Sequence, residues 1–197
     1  MRTRVMPLSL PDRARTADPR SLGRDRYGNL VDVFVLRDAS PEDSVTLADL
    51  HRRSALHAFA HIFPPDAPKP KLGDLVADWE RRLQIDDPRR ACFVAEHGAA
   101  AVGVIVAETD LREPSRGHLS RLYEDPSSWG LGIGTMLYER AVAQLRVNGF
   151  TTATLWVLEG NEHARGWYER RGWKLTDDRV VSYALAGIED LGYRLLL

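Results

Sequence analysis

The sequence predicts an α/β fold in which one mixed sheet is covered by helices. Three observations carry this: short Val-rich apolar runs that read as strands, longer segments with apolar residues three and four apart that read as helices, and the order in which the two alternate.

Residues 1–29 hold seven Arg against three Asp, with Pro7, Pro11, Pro19, Gly23 and Gly28 interrupting any period, so a disordered tail is expected there and a single domain over 30–197. Leu30–Leu36 is almost wholly apolar and suits a buried strand. Ser40, Pro41 and Asp43 then supply a hydroxyl cap, a first-turn proline and a first-turn acid, which start a helix running through Leu47 and Leu50 toward Ala58. Pro64, Pro65, Pro68 and Pro70 break it. Leu72, Leu75, Val76, Trp79 and Leu83 give a second amphipathic helix, ending before Pro88. Ala91–Glu96, a Gly98 turn and Ala101–Ala107 read as a hairpin, followed by a strand over His118–Glu124. Ile133, Leu137, Ala141 and Leu145 form one helical stripe that Gly149 closes. Thr152–Leu158 is a strand, Asn161–Arg171 a helix, and Val180–Ala184 and Tyr193–Leu197 are strands.

Composition narrows the function classes. Twenty-seven Lys and Arg against 28 Asp and Glu leave no basic footprint for nucleic acid. No run approaches a membrane span and the N-terminal residues lack the apolar core of a signal peptide, so neither a membrane partner nor export is expected and the cytoplasm is the expected compartment. The single cysteine, Cys92, sits in the apolar run Ala91–Ala95 and reads as a small core residue. His51, His57, His61 and His97 show no zinc-like spacing, so no metal is expected.

The chemistry is concentrated in Leu122-Tyr123-Glu124-Asp125-Pro126-Ser127-Ser128-Trp129-Gly130-Leu131-Gly132-Ile133-Gly134-Thr135. A strand ends, the chain turns at a proline, and alternating glycines open a helix. Unpaired amides at such a start attract anions, and glycine lets a ligand approach the backbone, so the segment reads as a diphosphate cradle. A turn that merely packs a helix on a strand is the alternative. Two other phosphate motifs fail: Thr135 stands where a dinucleotide fingerprint wants its third glycine, and no lysine follows as a P-loop requires.

The stretch resembles motif A of the GNAT superfamily of N-acetyltransferases, Gln/Arg-x-x-Gly-x-Gly/Ala, with Trp129, Gly132 and Gly134 at its defined positions and Leu122-Tyr123-x-x-Pro126 as lead-in. Trp129 departs from the motif's basic or amide side chain. A second stretch, Leu155 to Trp173, resembles motif B, where an Asn opens a helix and an aromatic-Tyr pair precedes a Gly-aromatic step. The resemblance implies a GNAT-like splayed sheet and acetyl-CoA as cosubstrate. It implies that Trp129, Gly130, Leu131, Gly132, Ile133, Gly134 and Thr135 hold the coenzyme's diphosphate. Leu122, Tyr123 and Glu124 would bind pantetheine and the thioester carbonyl through strand amides, with Asn161, Ala164 and Tyr168 beside the pantetheine arm. Asn161 also reads as a helix cap, and Tyr168, two turns on, faces the same way.

For catalysis the resemblance implies Tyr168 as proton donor to the departing thiolate. His118 falls where many members carry a strand glutamate and is the first candidate for general base, with Glu124 and Glu108 as alternatives. Tyr168 as a core tyrosine and His118 as an exposed strand histidine are the plain readings beside these. The expected partner is a small-molecule primary amine, with a homodimer left open. Acceptor specificity is expected in His57–Gly73 and in the loop between Leu185 and Tyr193. A coenzyme-binding module without catalysis, acting as a sensor or interaction subunit, is the rival reading.

Overall fold

The computed structural model describes residues 22–24, 30–182 and 187–197 of the chain. Strand β1 (Leu22–Arg24) pairs antiparallel with β2 (Leu30–Asp32) in a small separate sheet. Leu22–Arg24 falls within the segment expected as a tail, and the rest of 1–29 lies outside the described residues. The expected strand Leu30–Leu36 divides at Val33, with β3 (Phe34–Asp38) entering the main sheet. A continuous apolar run carries no alternation to mark a change of sheet.

Residues 41–43 form a 3-10 turn leading into helix α1 (Ser44–Ala58), and the Asp43 carboxylate takes the Ser40 amide at 2.7 Å and the Arg37 guanidinium at 2.7 Å. Helix α2 (Leu72–Leu83) follows, then β4 (Ala91–His97), β5 (Ala100–Thr109) and β6 (Gly117–Glu124). Helix α3 (Ile133–Val147), β7 (Thr152–Leu158), α4 (Glu162–Glu169), β8 (Lys174–Ser182) and β9 (Ile188–Leu196) complete the order.

The main sheet runs β3-β4-β5-β6-β7-β9-β8, antiparallel except for the parallel pair β6 and β7. Two corrections concern its C-terminal half. The strand expected at Val180–Ala184 begins at Lys174 and is described to Ser182, with Ala184 outside the described residues, and the segment before Tyr193 expected as a loop is β9 from Ile188. Here β8 is an edge strand carrying Thr176, Asp177, Asp178 and Arg179, and edge position removes the apolar alternation by which a strand is read. Helix α4 is shorter than expected, with Asn161 as its cap.

Two apolar layers flank the sheet. Ile105 and Ala107 of β5 face α3, packing with Ile133, Leu137, Ala141 and Leu145. Val104 and Val106 face α1 and α2, packing with Leu47, Leu50 and Trp79. A Cβ on Gly103 would lie 2.7 Å from Leu137 and 2.9 Å from Ile133, so α3 reaches the sheet this closely only over glycine.

Candidate active site

The sheet opens between β6 and β7. Their parallel pairing consists of Gly117 with Ala153 and His118 with Thr154, and beyond this point the strands diverge. On its other edge β6 carries a bulge: Val106 pairs with Ser120 and Val104 with Tyr123, so Arg121 and Leu122 together oppose Ile105. Arg121 sits in the left-handed region, φ 58°. A bulge re-aims the strand and frees ladder groups next to the opening. It also sorts the side chains. Tyr123 packs with the α1/α2 layer and Leu122 with the α3 layer.

The glycine loop lies on the α3 side. Gly132, φ 82°, is the N-cap of α3 and Gly130 has φ 80°, conformations costly for residues with a Cβ. No side chain of the cap closes over the first-turn amides. These residues therefore fit a bound diphosphate, which would take the amides of Ile133 and Thr135 together with the positive end of the helix, the Gly134 amide being held by Glu124. Trp129 is an anchor here: its indole N–H donates to the Glu124 carbonyl at 3.1 Å and its ring meets His57 edge-on at 5.0 Å. Arg171, not singled out in the sequence, donates to Thr135 Oγ1 at 2.9 Å while stacking on Trp167, and so brings a cation to the first turn of α3.

Glu124 projects beneath that turn. Its Oε2 accepts from the Gly134 amide at 3.1 Å, and its Oε1 is buried without a partner. Burial pushes this carboxyl up to about 7, against the pull of the Gly134 amide and with a smaller push from Asp125. At lower pH the group is therefore neutral, and at higher pH it is an anion inside an anion site.

Glu124→Gln is expected to remove this dependence. In the wild type the unfolded chain ionises above its ordinary 4.5 while the folded chain keeps the proton to about 7, so stability falls between those values and stays lowered above them. The variant should therefore gain melting temperature relative to wild type on going from about pH 5 to about pH 8. Its coenzyme affinity should also escape the decline that the wild type shows as the carboxylate forms. Parallel melting curves and identical affinity profiles would sink the assignment.

His118 lies at the closed end of the opening. Its Nδ1 is 2.9 Å from Thr154 Oγ1, and that hydroxyl donates to Asp110. With its proton committed to Asp110, the hydroxyl can only accept from the imidazole, which fixes the Nδ1–H tautomer and leaves Nε2 as a base. Burial holds the imidazole below its usual value, although Asp110 and Glu108 pull the other way. Glu108 is engaged on both oxygens, by Ser120 at 2.7 Å and Arg90 at 3.2 Å, as a structural ion pair.

On the far side of the opening, the Asn161 side chain accepts from the Ala164 amide at 3.2 Å and caps α4. Tyr168 is buried among Trp167, Trp173 and Tyr138, all meeting it edge-on. Burial raises its hydroxyl well above the ordinary tyrosine value, so it keeps its proton at any working pH. Trp156 packs under Arg112, 4.6 Å from guanidinium to ring.

A cavity of about 600 Å³ occupies the α1/α2 side of β6, between the end of α1, the segment 59–70, and Arg121 and Tyr123. Ile62 in that segment abuts Gly160, where a Cβ would lie 3.1 Å from Ile62, so the segment crosses to the turn beside Asn161. The cradle and the cavity thus lie on opposite faces of the same strand. Of the expected specificity segments, His57–Gly73 contributes to the cavity wall, and residues 188–193 belong to β9.

Comparison with known proteins bears on this arrangement. The family model for the acetyltransferase (GNAT) family matches residues 55–173. A Mycobacterium tuberculosis protein named as an N-acetyltransferase is 30% identical over 168 residues, covering 81% of this chain and 92% of that protein. An acetyltransferase from Thermus thermophilus superposes with a TM-score of 0.65 at 26% identity, over 83% of this chain and 97% of that one. The PaiA N-acetyltransferase of Thermoplasma acidophilum, solved with coenzyme A, shares the fold with a TM-score of 0.64 at 18% identity, over 83% of this chain and 99% of that one.

Proposed function

The chain belongs to the GNAT family of acetyltransferases and is an N-acetyltransferase, and on that premise we propose that it moves acetyl from coenzyme A directly onto the primary amine of a small molecule. The observation that carries this reading is the opening beyond His118 and Thr154, with a glycine-capped helix start on one face of β6 and a cavity on the other. Donor and acceptor can then meet across one strand, with no enzyme-bound acetyl group required.

When bound, acetyl-CoA supplies the thioester carbonyl that the amine attacks. The C–N bond forms as the C–S bond breaks. In this reading the bulged backbone around Leu122 to Glu124 orients the carbonyl and stabilises its developing charge. The Tyr168 hydroxyl, which burial keeps protonated, donates a hydrogen bond to the departing sulfur and shares its proton there as charge develops. His118 Nε2 takes the proton released by the amine, directly or through water, while Thr154 and Asp110 hold the ring. Asn161 places the start of α4 beside the pantetheine arm.

Acetyl-CoA is expected to raise the melting temperature, because a ligand bound only by the folded chain stabilises it by mass action. ATP and NAD should do so less, and free thiol should appear when a suitable amine is added. No thermal shift at millimolar acetyl-CoA, with no thiol release, would overturn the proposal.

A further inference from the structure

We propose that the acceptor is a primary amine carried on a bulky apolar body with no second cationic group, bound in the cavity between α1, segment 59–70 and β6. This rests on the acetyl-transfer reading above and goes further by naming the substrate class. The cavity's volume, about 600 Å³, is in the range of small-molecule sites. Its walls are built by Leu56, Phe59, Phe63, Leu75 and the prolines of the segment. The prolines fix this wall and lack amide donors, so it offers little to a polyhydroxylated ligand.

Charge decides the class further. Among the described residues, no Asp or Glu lines the cavity, and its cationic side chains are Lys69 and Arg121. Arg121 pairs with Asp78 at 3.2 Å, and Asp78 is not part of the wall. His51, stacked on Tyr123 at 3.9 Å, adds no charge, because burial pushes it down to about 3. A ligand with several ammonium groups would be desolvated here beside like charges without a counterion. A single amine on an apolar body loses only its one proton, and both the apolar walls and the two cations favour the neutral form that attacks. The remainder of the molecule gains by leaving water.

The same chemistry can come from a free amine or from a peptide N-terminus beginning with large apolar residues. The test therefore uses n-alkylamines of increasing length, 2-phenylethylamine and a Met-Leu peptide, against spermidine, kanamycin and an Nα-blocked lysine peptide. Each is followed by thiol release, with the acetyl-CoA thermal shift measured alongside. Across the alkylamines kcat/KM should rise by about fourfold per methylene until the cavity is full. Spermidine and the lysine peptide should be slower than the best alkylamine by about 100-fold or more. The relative rates of 2-phenylethylamine and the Met-Leu peptide identify the source.

Phe63→Glu should raise KM for apolar amines at least tenfold while the acetyl-CoA shift persists. Ala60→Trp, at an exposed wall position, should shorten the alkyl chain that gives the maximum. A flat or falling chain-length series, or a preference for spermidine, kanamycin or the lysine peptide, overturns the inference and leaves acetyl transfer standing. A thermal shift with no transfer to any of these amines also overturns it, with coenzyme binding intact. Loss of both the shift and all transfer sinks the acetyl-transfer reading and this one together.

Discussion

Tyr168→Phe is expected to lower turnover by about 10²–10⁴ while leaving acetyl-CoA affinity close to wild type. The substitution keeps the ring, and with it the edge-on contacts to Trp167, Trp173 and Tyr138 that hold α4 against α3. Only the hydroxyl is lost. If that hydroxyl protonates the departing sulfur, its removal acts on the transition state and hardly on the bound ground state, so kcat falls and the coenzyme's Kd does not. Single-turnover thiol release at saturating acetyl-CoA, with calorimetric titration of the coenzyme, separates the two. Turnover within about threefold of wild type would make Tyr168 a packing residue.

Gly132→Val acts one step earlier, on binding. Gly132 has φ 82° and is the cap from which α3 starts, so a β-branched residue must either accept a strained backbone or move the helix start. Either response misaligns the amides of Ile133 and Thr135, and the valine side chain is expected to take space the diphosphate needs. Coenzyme affinity should fall by about 100-fold or more, with the acetyl-CoA thermal shift lost. Because α3 packs on the sheet through Leu137, Ala141 and Leu145, well beyond the cap, the fold should survive and far-UV circular dichroism should be near wild type. Gly130→Ala is the control. A Cβ at Gly130 meets no protein atom within 4 Å, so this variant adds backbone strain without a clash inside the protein, and with one methyl in place of a branched side chain it should lose much less affinity. Equal losses in the two variants would mean that backbone strain, not occupation of the cradle, accounts for the effect.

How much of this was legible in the sequence follows from the range of the forces involved. Helix α2 matches its expected span, Leu72–Leu83, and β7 matches Thr152–Leu158, because each carries a clean apolar period bounded by breakers. The glycine-led start of α3 was readable for a similar reason. The succession of strand, proline turn, alternating glycines and amphipathic helix specifies local backbone geometry that the residues adopt with little help from distant contacts.

Other features depend on partners far along the chain. Whether Leu30–Leu36 is one strand or two was decided by pairing, with β1 for its first part and β4 for its second. The insertion of β9 between β7 and β8, and the left-handed Arg121 that re-aims β6, are likewise settled by which strands meet and in what register. His118 was a candidate by its position, but its tautomer is set by Thr154, 36 residues away, and by Asp110 behind it. Glu124 was identified, yet its pairing with the Gly134 amide and its raised titration arise when α3 closes over the strand and excludes water. The cavity was the least legible feature. Its walls join the end of α1, a proline-broken segment and a strand bulge, and no local period encodes that meeting. The sequence by itself thus determined the elements with a clean local period, such as α2 and β7, and the glycine loop that opens α3, whose energetics are local. The tertiary structure alone decided the hydrogen bonding of His118, the titration of Glu124 and the walls of the cavity, because desolvation and hydrogen bonding between distant residues exist only once the chain has packed.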